Sequence, residues 1–156
     1  MFGANRAHLR TELVRHALLE TVGAHRVMRM EAHILLVDDE PDIRELVQAL
    51  LQAAGFRVSS ADNAPDALKL AATERFQAML LDNWMPQGTG VELCREIRSF
   101  DQSTPILICS GAATLADREA AVSAGAQGYV VKPFNSSALI LAVRAAVKSK
   151  DDHHEE

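Results

Sequence analysis

From residue 33 onward, five short apolar runs alternate with longer stretches of helical period, and few folds accept that alternation. The runs are His33-Ile34-Leu35-Leu36-Val37, Arg57-Val58-Ser59-Ser60, Ala78-Met79-Leu80-Leu81, Ile106-Leu107-Ile108-Cys109 and Tyr129-Val130-Val131. Most are apolar at consecutive positions, so both faces must be covered, as in a parallel sheet. The second run is more polar and predicts an edge strand. Between the runs, Ile43, Leu46, Val47, Leu50, Leu51 and Ala54 follow the i, i+3, i+4, i+7 pattern, with Pro41 as start and Gly55 as stop. Ala64, Ala67, Leu68 and Ala71 mark a second helix behind an Asp62-Asn63 cap, and Val91, Cys94 and Ile97 a third. Thr114 and Asp117 resemble a capping box for a fourth, which ends near Gly125. Asn135 can cap a fifth, with Ile140, Val143 and Val147 on one stripe. Right-handed crossovers then predict an α/β fold, a doubly wound five-stranded parallel sheet of order 2-1-3-4-5 in three layers. In such sheets reactive groups gather outside the carboxyl ends of the strands.

Where the acids fall turns this fold into chemistry. Asp38 and Asp39 follow directly on the first apolar run and Asp82 on the third, and those two strands are neighbours in the expected order. Three carboxylates therefore meet at one rim, where, left bare, they would raise one another's pKa values. A divalent cation resolves the conflict, and all-oxygen ligation with open positions suits Mg²⁺. Ser110 after the fourth strand and Lys132 after the fifth add a hydroxyl donor and an ammonium, which together make an oxyanion site. Each residue alone has an ordinary reading: a helix cap, a turn before Pro41, a loop serine, a surface cation. Their joint placement at strand ends on one rim is what points to a site.

Composition narrows the remaining classes. With 48 % hydrophobic and 24 % charged residues, the chain can bury a core without metal or disulfide staples. A net charge of −5 gives no reason to expect a nucleic-acid or anionic-membrane surface. Cys94 and Cys109 lie in apolar surroundings without CxxC spacing and read as reduced core thiols. No apolar run approaches ~18 residues, and no signal-peptide core opens the chain, so a cytoplasmic protein is expected.

The ends differ from the core. Residues 1–32 carry five arginines and three glutamates. They read as an extension or an upstream start, since Met28 and Met30 both precede the first strand. The alternative is a docking or pairing helix on Leu9, Leu13, Ala17 and Val22. Residues 33–148 are expected to form the domain, and 149–156 a charged, solvated tail ending in His153, His154 and two glutamates. No second domain is expected after residue 150.

Residues 33 to 148 resemble a response-regulator receiver domain along their whole length, a flavodoxin-like fold of the single-domain chemotaxis-regulator type. The resemblance is carried by Leu35-Leu36-Val37-Asp38-Asp39-Glu40-Pro41 and by Leu81-Asp82-Asn83-Trp84-Met85-Pro86 with Gly88 and Gly90. Ser110-Gly111-Ala112 and Tyr129-Val130-Val131-Lys132-Pro133-Phe134 complete it. It implies that Asp82 accepts a phosphoryl group from a histidine kinase or histidine phosphotransfer protein. Asp38, Asp39, Asp82 and the backbone carbonyl of Trp84 would hold Mg²⁺. Ser110 would be the switch hydroxyl, Lys132 would contact a phosphoryl oxygen, and a cis peptide would precede Pro133. Tyr129 would turn inward as Ser110 moves toward the phosphoryl group. The resemblance further implies output through the fourth helix, fifth strand and fifth helix to an unidentified protein, with homodimer formation on that surface as one form of it. No turnover is expected beyond the chain's own phosphorylation and dephosphorylation. Ala112, two residues after Ser110, offers no polar group to orient a water, so slow loss of the phosphoryl group is expected.

Other readings meet specific obstacles. Haloacid-dehalogenase-type phosphohydrolases also use an aspartyl phosphate, but need a second Asp where Trp84 stands. A nucleotide-binding flavodoxin-like domain needs a glycine-rich loop where Asp38-Asp39-Glu40 would repel phosphates. A degenerate receiver, acting only as a binding module, would not need the full acid, hydroxyl and lysine set.

Overall fold

A computed structural model describes residues 31–112 and 114–152. The expected amphipathic stretch around Leu9, Leu13, Ala17 and Val22, and the tail residues His153 and His154, lie outside the described residues. From Ala32 onward the chain forms one compact unit. Strands β1 (His33–Val37), β2 (Arg57–Ala61), β3 (Ala78–Asp82), β4 (Ile106–Ser110) and β5 (Gly128–Val131) make one sheet of order β2-β1-β3-β4-β5, with every pairing parallel. Helices α1 (Pro41–Ala53), α2 (Ala64–Thr73), α3 (Gly90–Arg98), α4 (Leu115–Ala124) and α5 (Ser136–Asp152) fill the crossovers.

Strand alternation divides the core into two layers. Leu35, Val37, Met79, Leu81, Ile106 and Ile108 face α2, α3 and α4, against Ala67, Cys94, Ile97 and Ala121. Ile34, Leu36, Leu80, Leu107 and Cys109 face α1 and α5, against Val47, Leu51, Leu139 and Val143. The central strands β1, β3 and β4 are buried at every residue, whereas β2, an edge as expected, is only partly so.

Helix ends follow local chemistry. Asn63 accepts from the Asp66 amide (2.8 Å) and Asn135 from the Ser137 amide (2.8 Å). Thr114 and Asp117 form the expected capping box, and α4 stops on Gly125 at φ +100°, a left-handed conformation that favours glycine. A second capping box, Thr89 with Glu92, opens α3 and was not anticipated from the sequence.

Three expectations shift. Asp82 and Ser110 are the last residues of their strands rather than the first beyond them. Leu46 lies on the expected apolar stripe of α1 but is 55 % exposed, because the stripe is wider than the sheet can cover. With Ile43, Pro133 and Phe134 it instead lines an open groove beside Lys132. Helix α5 continues through Asp152, past the expected start of a charged tail. Lys150 is the reason: its ammonium donates to the Phe76 carbonyl (2.6 Å) and the Thr104 hydroxyl (2.9 Å) and pins the last turns.

Candidate functional site

The carboxyl ends of β1 and β3 bring Asp38, Asp39 and Asp82 together, with one oxygen of each within 4.8 Å of the others. Asp38 and Asp82 are buried and Asp39 partly so. Lys132, delivered by the end of β5, bridges the cluster: Nζ lies 2.9 Å from Asp38 Oδ2 and 3.3 Å from Asp82 Oδ1. The peptide between Lys132 and Pro133 is cis.

Burial pushes the Asp82 carboxyl above its ordinary range and the Asp38 charge pushes it further, while Lys132 opposes both. Burial by itself would lower Lys132, but its hydrogen bond to Asp38 and the charges of both carboxylates outweigh that and raise it. One ammonium thus serves two carboxylates, and a third stands beside them. A second, divalent charge would relieve the remaining repulsion. The donor set, three carboxylates with no thiolate or imidazole, fits a hard oxygen-seeking cation such as Mg²⁺.

The other expected residues are placed more by register than by contact. Ser110 pairs with Val131 across the sheet and its hydroxyl is fully buried, but its observed partner is the Ala112 amide, which donates to Oγ at 3.1 Å. Tyr129 donates from its hydroxyl to the Ala112 carbonyl at 2.6 Å. Ser110 and Tyr129 are therefore tied to the same loop residue. The Arg118 guanidinium lies 5.2 Å over the Tyr129 ring. Trp84 donates its amide toward Asp82 Oδ1 (3.4 Å) and leaves its indole 65 % exposed.

Two contributors were not singled out from the sequence. The Glu40 amide donates to Asp38 Oδ1 (2.9 Å), and Arg44 Nη1 donates to the Asp38 carbonyl (2.8 Å). The signal for Arg44 is its place in the first turns of α1, since helix side chains lean toward the helix N-terminus. Cys109, opposite Asp82 in the register, and Cys94 are both free and buried. Burial pushes the Cys109 thiol up to about 12, which keeps it neutral and inert beside the acids.

Residues 34–144 match the family model of the response regulator receiver domain. The chain belongs to the response-regulator receiver family. The response regulator MprA of Mycobacterium ulcerans is 35 % identical over 119 residues, which cover 76 % of this chain and 51 % of that protein. Among solved structures, the chemotaxis protein CheY4 of Vibrio cholerae is 34 % identical with a TM-score of 0.72, covering 74 % of this chain and 98 % of that one. A receiver domain of a sensor histidine kinase from Pseudomonas aeruginosa is 30 % identical with a TM-score of 0.71, covering 76 % and 98 %, and carries a magnesium ion coordinated in its active-site cleft. The chain spans about half the length of the curated relatives it matches. Those relatives therefore lend no support to the expectation that nucleic acid is not a partner. Membership of the receiver family displaces the phosphohydrolase and nucleotide-binding alternatives. Among the described residues, no helix of this receiver is long and apolar enough to cross a membrane.

Proposed function

We propose that this receiver takes a phosphoryl group onto Asp82 from the phosphohistidine of a kinase or phosphotransfer protein, with Mg²⁺ held by Asp38, Asp39, Asp82 and the Trp84 carbonyl. The observation that carries the reading is the convergence of three carboxylates at one sheet rim, two of them paired with the Lys132 ammonium. Asp82 offers a carboxylate oxygen to the phosphorus, the P–N bond to the donor imidazole breaks, and the imidazole keeps the electron pair and takes up a proton. When bound, Mg²⁺ supplies positive charge to the phosphoryl oxygens. Lys132 neutralises another of those oxygens, and Ser110 gives up its Ala112 partner to donate to a third. Ala112 is also where Tyr129 is tied, so loss of the Ser110 bond frees the loop that holds the tyrosine. The reading is of a regulator acting alone in the cytoplasm and signalling through α4, β5 and α5 to a protein partner or a second copy.

The test is incubation with acetyl phosphate and Mg²⁺ followed by intact mass. We expect one added phosphoryl, absent in Asp82→Asn and after chelation; labelling that survives Asp82→Asn sinks the reading. Because Ala112 carries no polar side chain to orient a water, the purified phosphoprotein should lose its label over minutes or longer. A half-life of seconds would refute that part.

A further inference from the structure

Asp38 is held at every polar atom. Its amide donates to the Ala61 carbonyl (3.2 Å), its Oδ1 accepts from the Glu40 amide and its Oδ2 from Lys132. The fourth group, the main-chain carbonyl, lies beyond the end of β1, and its partner is the Arg44 guanidinium at 2.8 Å. That carbonyl belongs to the planar peptide joining Asp38 to Asp39, so holding it fixes the N–Cα bond of Asp39 and leaves its φ as the one backbone torsion that aims the side chain. Asp39 needs such help: among the described residues its carboxylate takes part in no hydrogen bond or ion pair. Arg44 is unusual in the same way. It stands on α1 next to the acid cluster's Asp38 yet pairs with none of the described acids, and reaches the Asp38 main-chain oxygen instead.

We propose that Arg44 is a positioning residue that sets Asp39 for cation binding through the Asp38–Asp39 peptide, an inference that rests on the Mg²⁺ reading above. Groups that orient ligands from behind are worth about 10–100-fold in metal affinity when removed. Simple electrostatics gives the opposite sign, because deleting a nearby positive charge should tighten binding of a cation. The two accounts can therefore be told apart by the direction of the effect.

The experiment is titration of the whole chain with MgCl₂, followed by calorimetry and by fluorescence of Trp84, the only tryptophan. The unsubstituted protein is compared with Arg44→Ala and Arg44→Lys. We expect Arg44→Ala to weaken Mg²⁺ about 10-fold or more while the melting temperature without Mg²⁺ barely moves. Arg44→Lys keeps the charge but loses the planar fork and should fall between the two. Unchanged or tighter Mg²⁺ binding in Arg44→Ala overturns the proposal. Should that variant fail to fold, Arg44→Lys carries the test, and full retention of affinity there overturns it equally. Absence of a saturable response in the unsubstituted protein removes the Mg²⁺ reading and this inference with it, an outcome distinct from a variant that merely matches the parent.

Discussion

Lys132 reaches two carboxylates from a position 94 residues away in sequence from one of them, which makes the acid cluster depend on a contact that no local pattern encodes. At the opposite end of the sheet, His33 shows the same economy at a different pKa. Arg57 Nη2 lies 2.8 Å from Nδ1, and a guanidinium can only donate. That contact, shorter than the 3.2 Å approach of the Arg75 carbonyl, makes Nδ1 the acceptor. Nε2 then carries the proton and donates to Ser59 Oγ at 2.7 Å. Burial first, and the Arg57 charge second, hold His33 below the ordinary imidazole value of 6.5. As pH falls below that value the unfolded chain takes up a proton that the folded one refuses, so folding stability declines. Above it the contribution is fully present. We expect urea unfolding between about pH 7 and 5 to become less pH-dependent in His33→Gln than in the parent; parallel profiles would contradict this assignment.

Among the elements, the passage from β3 to α3 is the tightest. A Cβ on Gly90 would lie 2.6 Å from the Asp82 carbonyl oxygen, which is main chain and cannot step aside. The helix must start this close because its Thr89–Glu92 box and the bond from the Gly90 amide to the Asn83 carbonyl (3.3 Å) close the loop. Gly90→Ala should therefore cost about 1–3 kcal/mol and displace the end of β3 that carries Asp82. Chemical denaturation gives the first quantity, and phosphorylation with acetyl phosphate, slowed relative to the parent, reports the second. An unchanged unfolding midpoint would show that the loop has slack. Thr114–Asp117 and Thr89–Glu92 are capping boxes of the same spacing, but only the first was legible. Thr89 was missed because the Pro86-Gln87-Gly88 stretch before it reads as turn, which hid the helix start.

For the whole molecule, two apolar clusters, one on each face of the sheet, close the core among the described residues. We propose residues 33–150 as the functional receiver, two residues past the boundary expected from the sequence, because Lys150 anchors the end of α5. A fragment of residues 31–152 should unfold in one cooperative step, because both described core clusters lie within it. Circular dichroism on heating checks this, and a broad, multi-step transition would contradict it.

The strand count and the chain positions of Asp38, Asp39, Asp82, Ser110 and Lys132 were readable from the residues, because apolar period and strand-end placement are local properties that survive without knowledge of neighbours. Tertiary structure alone decided that Lys132 bridges two acids, that Arg44 holds a main-chain carbonyl, that Ser110 and Tyr129 share Ala112, and that Lys150 extends the last helix. The physical reason is that a hydrogen bond is fixed within a few tenths of an ångström by packing between segments far apart in the chain, and local patterning sets only which segment arrives.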